Sequence, residues 1–100
     1  MSRDQPRTIK KEMGITHKDF YDELPNLLGG IPCHLHEDTI SFELRGKRVE
    51  IKLGLEEVRK IGPSVTLPVT IVTLRFFAFS EEETSDFIRH FNLKFMKGGG

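Results

Sequence analysis

The chain has no tryptophan, a single cysteine and no excess of either charge, and each shortage narrows what it can be. One cysteine, Cys33, excludes an intramolecular disulfide and suits a reducing compartment. No stretch approaches the roughly 20 apolar residues of a membrane span, and Met1 to Gly14 lacks the apolar run of a signal peptide. The reading is a soluble, cytoplasmic protein with no membrane partner. Lys and Arg number 15, and so do Asp and Glu. That balance argues against a dedicated polyanion binder, whose footprint is a basic excess on one face, and leaves room only for a local patch. There is no G-x-G-x-x-G, no P-loop and no serine in a nucleophile elbow. The residues therefore predict a protein that is not an enzyme and needs no cofactor.

What is present fits one domain, since 100 residues lie near the modal domain size. With no Trp, the core rests on the eight Phe and on Leu, Ile and Val. Met1 to Gly14 is polar and mildly basic, with Arg3, Arg7, Lys10 and Lys11 against Asp4 and Glu12, and reads as a flexible arm over residues 1–14. A helix follows. Thr16 is its cap, Asp19 stands three residues on, and Ile15 and Phe20 fit a hydrophobic staple. Phe20, Leu24, Leu27 and Leu28 recur at helical spacing, Pro25 predicts a kink or restart, and Gly29-Gly30 ends the helix.

Three alternating segments come next. Ile31, Cys33 and Leu35 alternate with Pro32, His34 and His36; Ile40, Phe42 and Leu44 with Thr39, Ser41 and Glu43; Val49, Ile51 and Leu53 with Arg48, Glu50 and Lys52. Period two with polar turns at Glu37-Asp38 and Arg45-Gly46-Lys47 predicts a β-meander with one wet face. Leu55, Val58 and Ile61 recur every three residues, so residues 55–61 read as a helical turn, with an irregular strand as the rival. A long strand then runs from Leu67 to Phe79, an edge before Pro68 or beginning after it. Its alternation puts Val72, Leu74, Phe76 and Ala78 on the core face and Phe77 and Phe79 on the other. Ser80-Glu81-Glu82-Glu83 is a full capping box for a second helix, with acids at the positive end of its dipole.

The predicted fold is α+β: a two-layer sandwich with an antiparallel four-stranded sheet in the order α-β-β-β-(α)-β-α, both helices on one face. The domain spans residues 15–96, and residues 97–100 form a flexible tail.

Three candidate sites follow. Phe77 and Phe79, two phenylalanines side by side outside the core, predict a patch for a protein partner or for self-association. Arg48, Lys52 and Arg75 on the wet sheet face are the candidates for single-stranded nucleic acid, although stacking aromatics are scarce there. His34 and His36 project from one strand face about 7 Å apart, given a rise of ~3.3 Å per residue, so they can serve a metal with Ser41, Glu43 or Glu50. Cys33 points the other way, into the core, where a thiol is inert. The leading reading is a non-catalytic interaction domain acting through the sheet face or the Phe77/Phe79 patch; nucleic-acid binding and a metal site are the alternatives.

Gly98-Gly99-Gly100 resembles the diglycine tail of ubiquitin-like and sulfur-carrier proteins. The resemblance covers only those residues. Those families are β-grasp folds with a strand before the tail, whereas here a helix is predicted shortly upstream, and the glycines read as a plain flexible terminus.

Overall fold

A computed structural model describes residues 6–96. The elements are β1 (Arg7–Met13), α1 (His17–Leu28), β2 (Cys33–His36), β3 (Thr39–Leu44), β4 (Lys47–Lys60), β5 (Thr66–Phe76) and α2 (Glu81–Met96). The strands form one antiparallel sheet in the order β1-β5-β4-β3-β2. The α+β architecture with two helices is as predicted, and the sheet has five strands rather than four.

Register explains the core. Phe42, Val49 and Phe76 stand side by side across three strands, as do Ile40, Ile51 and Leu74, and all six are buried. Phe20, Leu24, Leu27 and Leu28 of α1 and Phe87 and Phe91 of α2 pack on them as one cluster. Both helices therefore lie on one face of the sheet. Phe95 joins the two helices, its ring centroid 4.6 Å from those of both Phe20 and Phe91. Each such fully buried side chain contributes about 1.5–3 kcal/mol.

The helix ends form where their capping residues stand. Thr16 Oγ1 accepts the Asp19 N–H at 3.0 Å. Gly29, at φ 61°, takes the left-handed C-cap conformation that a side chain would disfavour. The helix does not restart at Pro25: α1 is assigned without interruption to Leu28, with Pro25 inside it on the exposed side. At α2 the box is reciprocal, the Glu83 N–H donating to Ser80 Oγ at 3.1 Å and the Ser80 N–H to Glu83 Oε1 at 2.8 Å.

Two expectations are overturned. Residues 7–13 are not a flexible arm. They form β1 along β5, with Ile9 opposite Leu74 and Met13 opposite Thr70. Only Ile9 and Met13 turn apolar side chains inward, while Arg7 and Lys11 hold the other inward positions, so this edge strand carries too few apolar residues to show a clear alternation. Residues 1–5 and the glycine tail lie outside the described residues. Residues 55–61 are not a helical turn either, because β4 continues to Lys60. The spacing of three puts Val58 and Ile61 on opposite faces of the strand, and a β-bulge precedes them between Leu53 and Glu56, where Gly54 and Leu55 together oppose Ile71. A Cβ on Gly54 would lie 3.1 Å from the Ile71 carbonyl oxygen, so the bulge brings the backbones closer than most side chains tolerate. Past the bulge, β4 and β5 continue as a two-stranded hairpin, and Pro68 sits in the part of β5 that β1 does not cover.

Candidate functional site

Phe77 and Phe79 do not form the expected patch. β5 ends at Phe76, and Ala78 takes φ 65°, which turns the chain and sends Phe79 into the core. Phe79 is 8% exposed and its ring lies 5.1 Å from that of Phe76. The alternation does not extend to Phe79, because the strand ends at Phe76 and a non-glycine residue in a left-handed conformation intervenes. Phe77 is half-buried, and its N–H donates to the Arg48 carbonyl at 3.0 Å. Arg7 Nε donates to the Phe79 carbonyl at 2.9 Å, so the turn is held from both ends.

What Phe79 does line is a cleft of about 190 Å³ at the start of α2, with Phe87 and Leu44 as its apolar wall and Arg45, Lys47 and His90 at its rim. Lys47 crosses it, with Nζ 2.8 Å from Glu83 and 5.9 Å from the Phe79 ring centroid. Hydrogen bonds from Lys47, and then from Ser80, hold the Glu83 carboxyl down at about 2.

The wet face carries the other predicted residues. Thr8, Arg75, Glu50, Ser41 and His34 form one row across all five strands, and Lys10, Thr73, Lys52, Thr39 and His36 the next. Glu50 sits between two arginines, 2.8 Å from Arg48 and 3.8 Å from Arg75. The carboxylate thus offsets both cations proposed for a nucleic-acid backbone, and Lys52 stands beside them without an aromatic platform. His34 and His36 are exposed on the wet side of β2, as expected. Among the described residues, no three His, Cys, Asp or Glu side chains converge to hold a metal.

Cys33 requires a correction. It does share the inner face, opposite Phe42, but it is exposed rather than buried. β2 is the outermost strand and the helices do not reach over it; Leu35 beside it is also exposed.

The hairpin beyond Gly54 is the surface that sequence reasoning missed. Leu55 is 83% exposed, Val58 71% and Ile61 56%, with Val65, Leu67 and Ile71 also exposed. Pairing places Ile61 with Val65 and Arg59 with Leu67 on the continuation of the wet face, and Val58 with Pro68 on the helix side. One ion pair straps this extension to the body. Arg59 on β4 bonds Glu12 on β1, so the pair crosses over β5. Arg59 stands level with Leu67 and Glu12 level with Ile71, which puts Val69 between them and accounts for its burial outside the main core. The Arg59 guanidinium holds the Glu12 carboxyl below its ordinary value. At the root of the hairpin, the His17 N–H donates to Glu56 Oε1 at 2.8 Å and His17 Nε2 lies 2.7 Å from the Gly54 carbonyl oxygen. The signal for this surface is Leu55-Glu56-Glu57-Val58-Arg59-Lys60-Ile61 itself, whose apolar residues look like one face of a helix until they are seen on both faces of one strand.

No described helix is long and apolar enough to cross a membrane. Comparison with curated proteins and with solved structures returns no match. A family model does match. It is that of the archaeal MoaD-like protein, it takes in residues 10–100, and a match over nearly the whole chain means that the protein belongs to that family.

Proposed function

We propose that the chain is a small non-catalytic interaction domain whose working surface is the β4–β5 hairpin. One observation carries this: the hairpin extends past the helix layer with Ile61, Val65 and Leu67 exposed together on its wet face and Val58 exposed on the other. Single exposed apolar residues are ordinary, but a contiguous group on one projection is what protein-binding surfaces present. The metal and nucleic-acid readings have less support, because His34 and His36 lack a third ligand among the described residues and Glu50 offsets Arg48 and Arg75. A photo-crosslinking residue at Leu67 is expected to give covalent protein adducts under native conditions, and one at Lys18, on the exposed side of α1, is not. Equal yields from the two positions would remove the hairpin as the working surface.

A second reading is favoured by family membership together with Gly98-Gly99-Gly100, over which the family match extends. Here the domain acts as a sulfur carrier, its hairpin or Phe79 cleft docking the proteins that load and unload a glycine carboxylate. This requires a free carboxylate after the glycines. Intact mass of the natural protein tests it: replacement of one oxygen by sulfur supports the reading, and a chain that continues past Gly100 ends it.

A further inference from the structure

The hairpin's partner can be read from its edge, on the premise that the hairpin is an interaction surface. We propose that a second copy of this chain adds to the free edge of β4, antiparallel and centred on Val58.

The edge is open. β3 pairs with β4 only between Lys47 and Lys52, and among the described residues no strand pairs with the outer side of β4 beyond that. Its hydrogen-bonding groups point outward at known positions. The Ile61 N–H donates to the Val65 carbonyl at 2.9 Å, so Ile61, Arg59 and Glu57 bond inward to β5. Val58 stands opposite Pro68, which has no N–H to give. Glu56, Val58 and Lys60 therefore direct their N–H and C=O groups away from the sheet, an unfilled ladder of the kind another strand completes. The other edge of the hairpin is blunted by Pro68.

The side chains select the occupant. From Leu55 to Ile61 the chain reads apolar, acid, acid, Val58, base, base, apolar. An antiparallel copy centred on Val58 sets Val58 against Val58, Glu57 against Arg59, Glu56 against Lys60 and Leu55 against Ile61, each pair on its own face. Every acid meets a base and every apolar residue an apolar one. Moving the centre by one residue brings Glu57 against Glu57 or Arg59 against Arg59 at the axis, the like-charge opposition that destabilises a sheet. A slip that exchanges the faces would also set apolar residues against polar ones. Glu56 accepts from His17 with Oε1 and keeps Oε2 for the partner's Lys60, whereas Arg59 is turned over β5 to Glu12 and meets the partner's Glu57 only by exchanging that ion pair. A two-fold contact of this kind is self-complementary, as a closed dimer needs, and it would join the two sheets into one.

Sedimentation equilibrium of the wild type and two charge variants tests the proposal. E56K/E57K makes the edge wholly basic and R59E/K60E makes it wholly acidic. The wild type is expected to dimerise, and each variant alone to self-associate roughly tenfold more weakly or worse. An equimolar mixture of the two variants should recover the dimer, a rescue that misfolded variants could not produce. A wild type that stays monomeric at the highest attainable concentration overturns the proposal, as does a dimer indifferent to both variants, or a mixture without rescue. If the wild type is monomeric but the Leu67 cross-linker captures a different protein, self-pairing fails and the interaction reading stands. If neither occurs, both fall.

Discussion

β4 and β5 each have two halves with opposite fates. From Val49 to Leu53, opposite Val72 to Phe76, every inward side chain is buried beneath the helices. From Glu56 to Lys60, opposite Thr66 to Thr70, the same two strands stand largely in solvent with apolar side chains exposed. Val49, Ile51 and Leu53 fill the inward positions of one half of β4 and Glu56, Val58 and Lys60 those of the other, yet both halves are strand, so strand-forming tendency does not separate them. Cover does. The first half has α1 and α2 above it, the second begins where the Gly54 bulge carries the strands out from under them, and only the first half can gain from burial.

Substitutions that strike one half and spare the other would break this contrast or sharpen it. The largest effect is expected in the covered half: Phe76→Ala empties a fully buried site and should cost about 3–5 kcal/mol in denaturant unfolding, whereas Val58→Ala should change stability by less than about 0.5 kcal/mol. Comparable losses from the two would show that the hairpin is folded into the core after all. Next comes the boundary. Gly54→Val drives a Cβ into the 3.1 Å approach to Ile71 and should cost about 1–3 kcal/mol, with amide exchange rising in the hairpin before the covered half. A cost near zero would mean that the bulge relaxes freely. The smallest effect lies at the α2 cap. The native Glu83 carboxyl titrates at about 2, below its ordinary 4.5, so its contribution is complete above 4.5 and is lost as the pH falls toward 2. Glu83→Gln should flatten thermal stability across that window. An unchanged acid limb would show that the cap contributes nothing to the pH response.

Much of the covered half was legible in sequence, and for a physical reason. Ile40, Phe42, Val49 and Ile51 alternate because one side is dry, and Ser80-x-x-Glu83 announces its helix through side chains that bond the adjacent backbone. The failures share a different cause. β1 was hidden because Arg7 and Lys11 occupy inward positions of an edge strand, and long cationic side chains can lie along apolar surface there. The helical reading of residues 55–61 fails because Val58 and Ile61, three apart, lie on opposite faces of a strand that stands in solvent, where neither face has to alternate with a dry side. Cys33 was given the correct face but the wrong exposure, since which face a residue takes follows from local alternation and how far a helix layer reaches does not. Phe79 is misplaced because Ala78 takes a left-handed conformation that glycine or asparagine advertises and alanine does not. The candidate surface was illegible for the same reason as the bulge: Leu55, Val58 and Ile61 look like core until the layer above them is seen to stop.

The placement of β1 sets the order in which the sheet can assemble. β2, β3, β4 and β5 join in sequence through hairpins between neighbours, whereas β1 closes on β5 from the far end of the chain, where Arg7 meets a carbonyl 72 residues away. Contacts so remote in sequence form late, because their loop must close before they return anything. Of the described strands, the first in the chain is thus expected to be laid down last, a clasp drawn across a sheet that is otherwise complete.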